Sequence, residues 1–169
     1  ASFKSPRGIS VAPDGSLYFA DRLNQPIRRI SVGGEVVTIS GTGASSHVDG
    51  IGDNAQYNQP SGIVAVDNTT LITTEASNHV LRQLTLYPGA TPASPKSWLA
   101  STICGNVATS GFTDGIGNVA AFNSPGNVTV QDGAIIIADT QNSACRRMSA
   151  DTGFPVPLQG NASNDKPRL

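Results

Sequence analysis

The chain has 169 residues, 38% hydrophobic and 14% charged, with a net charge of −1 and a pI near 6.1. That is the length and balance of one ordinary, charge-poor globular domain. The charge leaves no electrostatic footprint for nucleic acid or an anionic membrane, and no apolar run approaches the ~20 residues of a membrane span.

The first predicted element follows Phe3-Lys4-Ser5-Pro6 and runs through Pro6-Arg7-Gly8-Ile9-Ser10-Val11. Leu17-Tyr18-Phe19-Ala20-Asp21 comes next, then Asn24, the apolar-Arg run Ile27-Arg28-Arg29-Ile30, and Val37-Thr38-Ile39-Ser40-Gly41. The same series restarts at Tyr57-Asn58-Gln59-Pro60. It passes through Gly62-Ile63, Leu71-Ile72-Thr73-Thr74-Glu75, Asn78 and Leu81-Arg82-Gln83-Leu84, and ends at Ser101-Thr102-Ile103-Cys104-Gly105. It restarts again at Phe122-Asn123-Ser124-Pro125, with Ile135-Ile136-Ile137-Ala138-Asp139, Asn142, Cys145-Arg146-Arg147-Met148 and Val156-Pro157-Leu158-Gln159-Gly160.

A chain that repeats itself in register is an array of one supersecondary unit. The units are read as residues 3–56, 57–121 and 122–160, with 161–169 as a link or tail. Each segment is short, rich in Val, Ile, Thr and Leu, and bounded by turn residues such as Pro13-Asp14-Gly15, Gly33-Gly34 and Asp132-Gly133. No 3.6-residue apolar period is sustained, so helix is expected to be nearly absent. The fold class is all-β: three four-stranded antiparallel sheets, the blades of a β-propeller. Pro6, Pro60 and Pro125 should open the innermost strands. Ile9, Ile63 and Val128, with Ile30, Leu84 and Met148, should lie buried between blades.

Two links, Asp49-Gly50-Ile51-Gly52 and Asp114-Gly115-Ile116-Gly117, lead into the F/Y-x-x-Pro starts. With P-x-G-I-x-V, A-D-x-x-N, I-R-R-I and T-I-x-G, the unit resembles the NHL repeat from Phe3 to Gly160. The resemblance implies a propeller, most often six-bladed, used as a binding or assembly platform. Fold alone names no activity. Three blades cannot close a ring, since propellers have about four to eight. The expectation is a segment of a longer chain, or identical copies assembling into a ring or a head-to-tail stack, with apolar surface exposed on the outer faces of blades one and three.

Asp21, Glu75 and Asp139, aligned opposite Arg28, Arg82 and Arg146, read as per-blade acid-Arg sets that hold strands together; a polar binding ring is the other reading. Cys104 and Cys145 are either two buried thiols or a disulfide from blade two to blade three, and the disulfide is the expectation. Sequons stand at Asn68, Asn127 and Asn161. Asn127 replaces Gly8 and Gly62, and tolerance of left-handed φ is the expected reason. Residues 87–97 read as an extended surface loop, inert or O-glycosylated.

His47 and His79 have no metal-ligand spacing, and no nucleophile-elbow pattern occurs, so no catalytic residue, metal or other cofactor is expected. The Asp-Gly links lack a calcium-loop ladder and read as tight turns with the Asp bonded to its own backbone. The expected function is a non-catalytic extracellular or secreted binding or assembly module of a larger glycoprotein or polymer. Its expected partners are further blades, identical copies or other proteins, with no nucleic acid. The alternative is a segment of a propeller lyase or hydrolase whose catalytic residues lie mostly outside this chain. A channel metal would need His or carboxylates on the innermost strands, which here offer Ser10, Ala12, Val64, Thr129 and Gln131.

Overall fold

The computed structural model describes residues 2–107, 109–115 and 117–149. Val156–Gly160, expected to close the third unit, and the Asn161 sequon lie outside the described residues. Three antiparallel sheets follow in chain order. The first is β1 (Pro6–Val11), β2 (Leu17–Asp21), β3 (Ile27–Ile30) and β4 (Val36–Ser40), paired in that order. The short β5 (Gly50–Ile51) pairs with the outer edge of the second sheet, β6 (Pro60–Ala65), β7 (Thr70–Glu75), β8 (Val80–Leu86) and β9 (Trp98–Cys104). The third contains β10 (Pro125–Gln131), β11 (Ala134–Asp139) and β12 (Ala144–Ser149). Among the described residues helix is confined to single 3-10 turns at Pro95–Ser97, Gly117–Val119 and Thr140–Asn142.

Strand chemistry explains the pairing. Val, Ile and Thr favour the pleated surface, and turn residues reverse the chain between neighbours. Asp132 and Gly133 both take positive φ, 50° and 70°, giving a two-residue reversal between Gln131 and its partner Ala134. Each innermost strand also carries a bulge just after its proline: Arg7-Gly8, Ser61-Gly62 and Gly126-Asn127 each oppose one residue of the next strand. Residues 87–97 are tied down, with Trp98 Nε1–H donating to the Pro92 carbonyl at 3.1 Å.

Two cores fill the spaces between the sheets. Tyr18, Ala20, Ile27 and Ile39 of the first blade meet Tyr57, Ile63, Leu84 and Trp98 of the second. Ile72, Leu81 and Cys104 of the second meet Phe122, Val128, Ile137 and Met148 of the third. Side chains alternate across each strand, so every blade has a leading face toward its predecessor and a trailing face toward its successor. Ile63 (3%), Val128 (5%), Leu84 and Met148 are buried as expected, but Ile9 is 62% exposed and Ile30 only partly covered. Both sit on the leading face of blade one, against which no described sheet packs.

The expected disulfide is not formed: Cys104 and Cys145 are both free thiols. Cys104 points into the core between blades two and three. Cys145 alternates with Arg146 and Met148, which face that core, so its side chain lies on the opposite, trailing face of blade three. A whole sheet separates the two. Burial pushes the Cys104 thiol up to about 11, so a maleimide at neutral pH should label Cys145 rapidly and Cys104 only after unfolding. Equal labelling of both, or of neither, would contradict this placement.

Candidate functional site: the blade latch

The acid-Arg sets lie at the same place in every blade and draw in residues from outside their own strands. Asp139 Oδ1 accepts from the Asn123 N–H (2.7 Å), and Oδ2 accepts from Asn142 Nδ2 (2.8 Å) and Arg146 Nη1 (3.1 Å). Glu75 Oε2 accepts from the Asn58 N–H and Asn78 Nδ2, while Oε1 pairs with Arg82. Asp21 accepts from the Lys4 N–H (2.8 Å), Asn24 Nδ2 (2.8 Å) and Arg28 Nε (3.4 Å). The carboxylate thus fixes the backbone two residues before each proline, and the Asn reads as part of the set. Position relative to the Arg runs showed the pairs. The backbone donor and the role of the Asn were not visible from residue types.

Arg82 and Arg146 also bind the links that precede their blades. Arg82 donates to the carbonyls of Gln56 and Val48 and pairs with Asp49 Oδ1 at 2.8 Å. Arg146 donates to the equivalent carbonyls of Ala121 and Thr113 and pairs with Asp114. The signature aromatics cover these guanidiniums: Tyr57 at 4.8 Å from Arg82 and Phe122 at 5.0 Å from Arg146. The link aspartates therefore serve the next blade's arginine. Asp49 also accepts from the Thr102 N–H and hydroxyl on β9, where a self-bonded turn had been expected. Arg28 keeps a looser version, reaching the Ser2 carbonyl (3.3 Å), Thr38 Oγ1 (2.7 Å) and the Phe3 ring (5.9 Å).

His47 fills the link position where the other link has Phe112, which stacks on Arg146 at 5.1 Å. Thr102 gives its only hydroxyl proton to Asp49, so the 3.0 Å contact between Thr102 Oγ1 and His47 Nε2 makes Nε2 the protonated nitrogen. Among the described residues the buried His47 Nδ1 has no hydrogen-bond partner, and it lies 3.8 Å from Glu75 Oε1. Burial and then the Arg82 charge hold the imidazole below its usual range, against the smaller opposing pull of Asp49. Glu75 is already engaged by Arg82 and Asn78, which leaves it little attraction for an imidazolium. A folded value below the unfolded one gives stability that is complete above about 6.5 and is lost as pH falls through the folded value. Thermal melts should therefore drop as the pH falls below about 6.5, and His47→Phe should flatten that decline. An unchanged slope in the variant would contradict the assignment.

A second shared feature lies beside each latch. Ser5, Gln59 and Ser124, just before the prolines, take φ of 54°, 56° and 49°; Gln25, His79 and Ser143 take 76°, 59° and 51°. Across the blade junctions the Gln59 N–H donates to Gln25 Oε1 (2.7 Å) and the Ser124 N–H donates to His79 Nδ1 (3.0 Å). Among the described residues the Ser5 N–H has no acceptor.

The glycines of the inner strands are required for close approach. A Cβ on Gly8 would lie 2.4 Å from the Ser61 carbonyl oxygen, 2.9 Å from Gly62 Cα and 2.8 Å from Ile63 N. On Gly62 it would meet the equivalent Gly126 O (2.9 Å), Asn127 Cα (2.7 Å) and Val128 N (2.8 Å). None of Gly8, Gly62 and Asn127 has positive φ. The left-handed conformation expected at Asn127 is therefore corrected: glycine stands at positions 8 and 62 because the following blade's backbone touches it there, and the Asn127 side chain is exposed on the trailing side of blade three, where no described blade follows.

Arg7, Ser61, Gly126, Asn127 and Thr140 line a polar groove of about 360 Å³ across the innermost strands. Among the described residues no group of three or more His, Cys, Asp or Glu side chains is placed to hold a metal ion. No described helix is long and apolar enough to cross a membrane. Asn68 is exposed at the β6–β7 turn, where its Oδ1 accepts from the Asp14 N–H at 2.9 Å and leaves Nδ2, the atom a glycan takes, available.

No family model matches the chain. It is 28% identical to NHL repeat-containing protein 2 of Bos taurus over its whole length, and spans about a quarter (24%) of that relative. Its fold is similar to an auxiliary nutrient binding protein from Bacteroides thetaiotaomicron, with a TM-score of 0.67 at 22% identity over 82% of this chain and 36% of that one. Virginiamycin B lyase from Staphylococcus aureus matches with a TM-score of 0.53 at 13% identity, over 90% of this chain and 42% of that one. The relative bears out the NHL-type reading of the repeat, and the solved structures bear out the all-β propeller fold.

Proposed function

We propose that the chain is a non-catalytic binding or assembly segment of a larger extracellular protein, working through its blade faces. The observation that carries this reading is the leading face of blade one. Phe3, Ile9, Phe19 and Ile30 stand where Tyr57, Ile63, Thr73 and Leu84, and then Phe122, Val128, Ile137 and Met148, are covered by a preceding blade. Here they line an apolar groove of about 360 Å³. An apolar sheet face of this kind marks an interaction surface. The acid-Arg sets are engaged in holding links and strands, which favours a structural role for them over catalysis. Extracellular placement is supported by Asn68 at an exposed hairpin tip; the two free thiols supply no such support.

Native mass spectrometry of the protein from its source tests the reading. The expected result is these residues within a larger chain or complex, with a glycan on Asn68. An unglycosylated 17.4 kDa monomer would overturn it.

A further inference from the structure

The two junctions seen here share three devices, and they divide unequally between the two open faces. The trailing blade supplies a glycine on its innermost strand, Gly8 or Gly62, that lets the backbones touch. It supplies an acceptor side chain from its β2–β3-type turn, Gln25 or His79, for the N–H before the next proline. It also supplies an aliphatic residue, Ile27 or Leu81, at the start of its third strand.

Blade three carries Asn127, Ser143 and Cys145 at those positions, all exposed. A Cβ at Asn127 stands where the other junctions leave less than 3 Å between that atom and neighbouring backbone. A serine side chain is too short to reproduce the reach of Gln25 or His79, and a thiol covers less apolar surface than Ile or Leu. Blade one, by contrast, presents an intact receiving half: the Ser5 N–H, which no described residue accepts, the Arg7-Gly8-Ile9 backbone, and the groove of Phe3, Ile9, Phe19 and Ile30.

We infer that the leading face of blade one docks a β-sheet blade bearing glycine, a Gln or His acceptor and an aliphatic residue at these three positions, and that blade three of a second copy is not its partner. The occupant is defined by continuity with the two formed junctions, whose backbone contacts repeat atom for atom. Head-to-tail stacking of identical copies, a heterologous contact that would otherwise propagate, is blocked by the Cβ of Asn127 and by the missing acceptor. The inference rests on the reading of the chain as an assembly segment.

Sedimentation over a concentration series compares the 169-residue chain with Asn127→Gly/Ser143→Gln/Cys145→Ile, each first checked for native β-sheet signal by circular dichroism. Asn127→Gly alone serves as the milder variant should the triple change fail to fold. The repaired chain is expected to self-associate at least about tenfold more tightly than the natural one, and Ile9→Glu in the repaired chain should abolish that gain. Equal association of the natural and repaired chains, or a gain that survives Ile9→Glu, overturns the inference. Either outcome leaves the native-mass result untouched, so the two readings fail separately.

Discussion

Arg82→Ala is expected to destabilise the chain by about 3–5 kcal/mol, the cost of stranding a buried charge. Arg82 is fully buried, and its removal strips Glu75 of its cation at the centre of the second blade. It also removes the guanidinium that ties the carbonyls of Val48 and Gln56 and the Asp49 carboxylate to the sheet, leaving the two carbonyls only their backbone partners within the link and Asp49 only Thr102, and it takes the cation from the Tyr57 ring. The loss should unfasten the link from the sheet. Arg28→Ala is the internal comparison: its side chain is partly exposed and its contact with Asp21 is longer, so it should cost only about 1 kcal/mol. Urea midpoints of the two variants decide the matter. Equal effects would mean that the latch of blade two is no stronger than that of blade one.

Gly62→Val should cost about 3 kcal/mol or more, the upper end for overpacking. The first added carbon would sit 2.7 Å from Asn127 Cα, 2.8 Å from Val128 N and 2.9 Å from the Gly126 oxygen. These are backbone atoms of a paired strand and cannot rotate away as a side-chain tip could. The blades must part, opening the core of Ile72, Phe122, Val128 and Met148 to water. Gly34→Ala, where nothing lies within 4 Å but φ is +85°, isolates the purely conformational cost of about 1 kcal/mol. If the two substitutions cost the same, close approach is not the reason for glycine at position 62.

The repeat made the architecture legible because each strand signal recurs three times in register: a proline start, an acid-ended strand and an Arg strand. What the repeat could not convey is which face of a strand meets a neighbour. Ile9, Ile63 and Val128 are all β-branched aliphatics at one repeat position, yet only two of them have a preceding blade in the structure. Cys145 reads as a core position by alignment with Ile27 and Leu81, and it does occupy that position, on a face that no described blade covers. The pairing with Cys104 failed for that reason.

Gly8 and Gly62 drew attention through backbone freedom, whereas their contacts lie in another blade and are invisible to local pattern. The latch was half legible. Acid and Arg aligned, but the donor from before the proline and the carbonyls of the link are backbone groups, to which residue type gives no clue. His47 stood out only as a histidine, and its meaning comes from sharing a slot with Phe112.

Side-chain footprinting with hydroxyl radicals on the 169-residue chain tests the central claim, that three blades stack through one repeated junction and present an unfilled half of it. Ile9, Ile63 and Val128 are chemically matched reporters at equivalent positions. The account predicts rapid modification of Ile9 and strong protection of Ile63 and Val128. Equal modification of all three would contradict the stacking, and equal protection would contradict the open face.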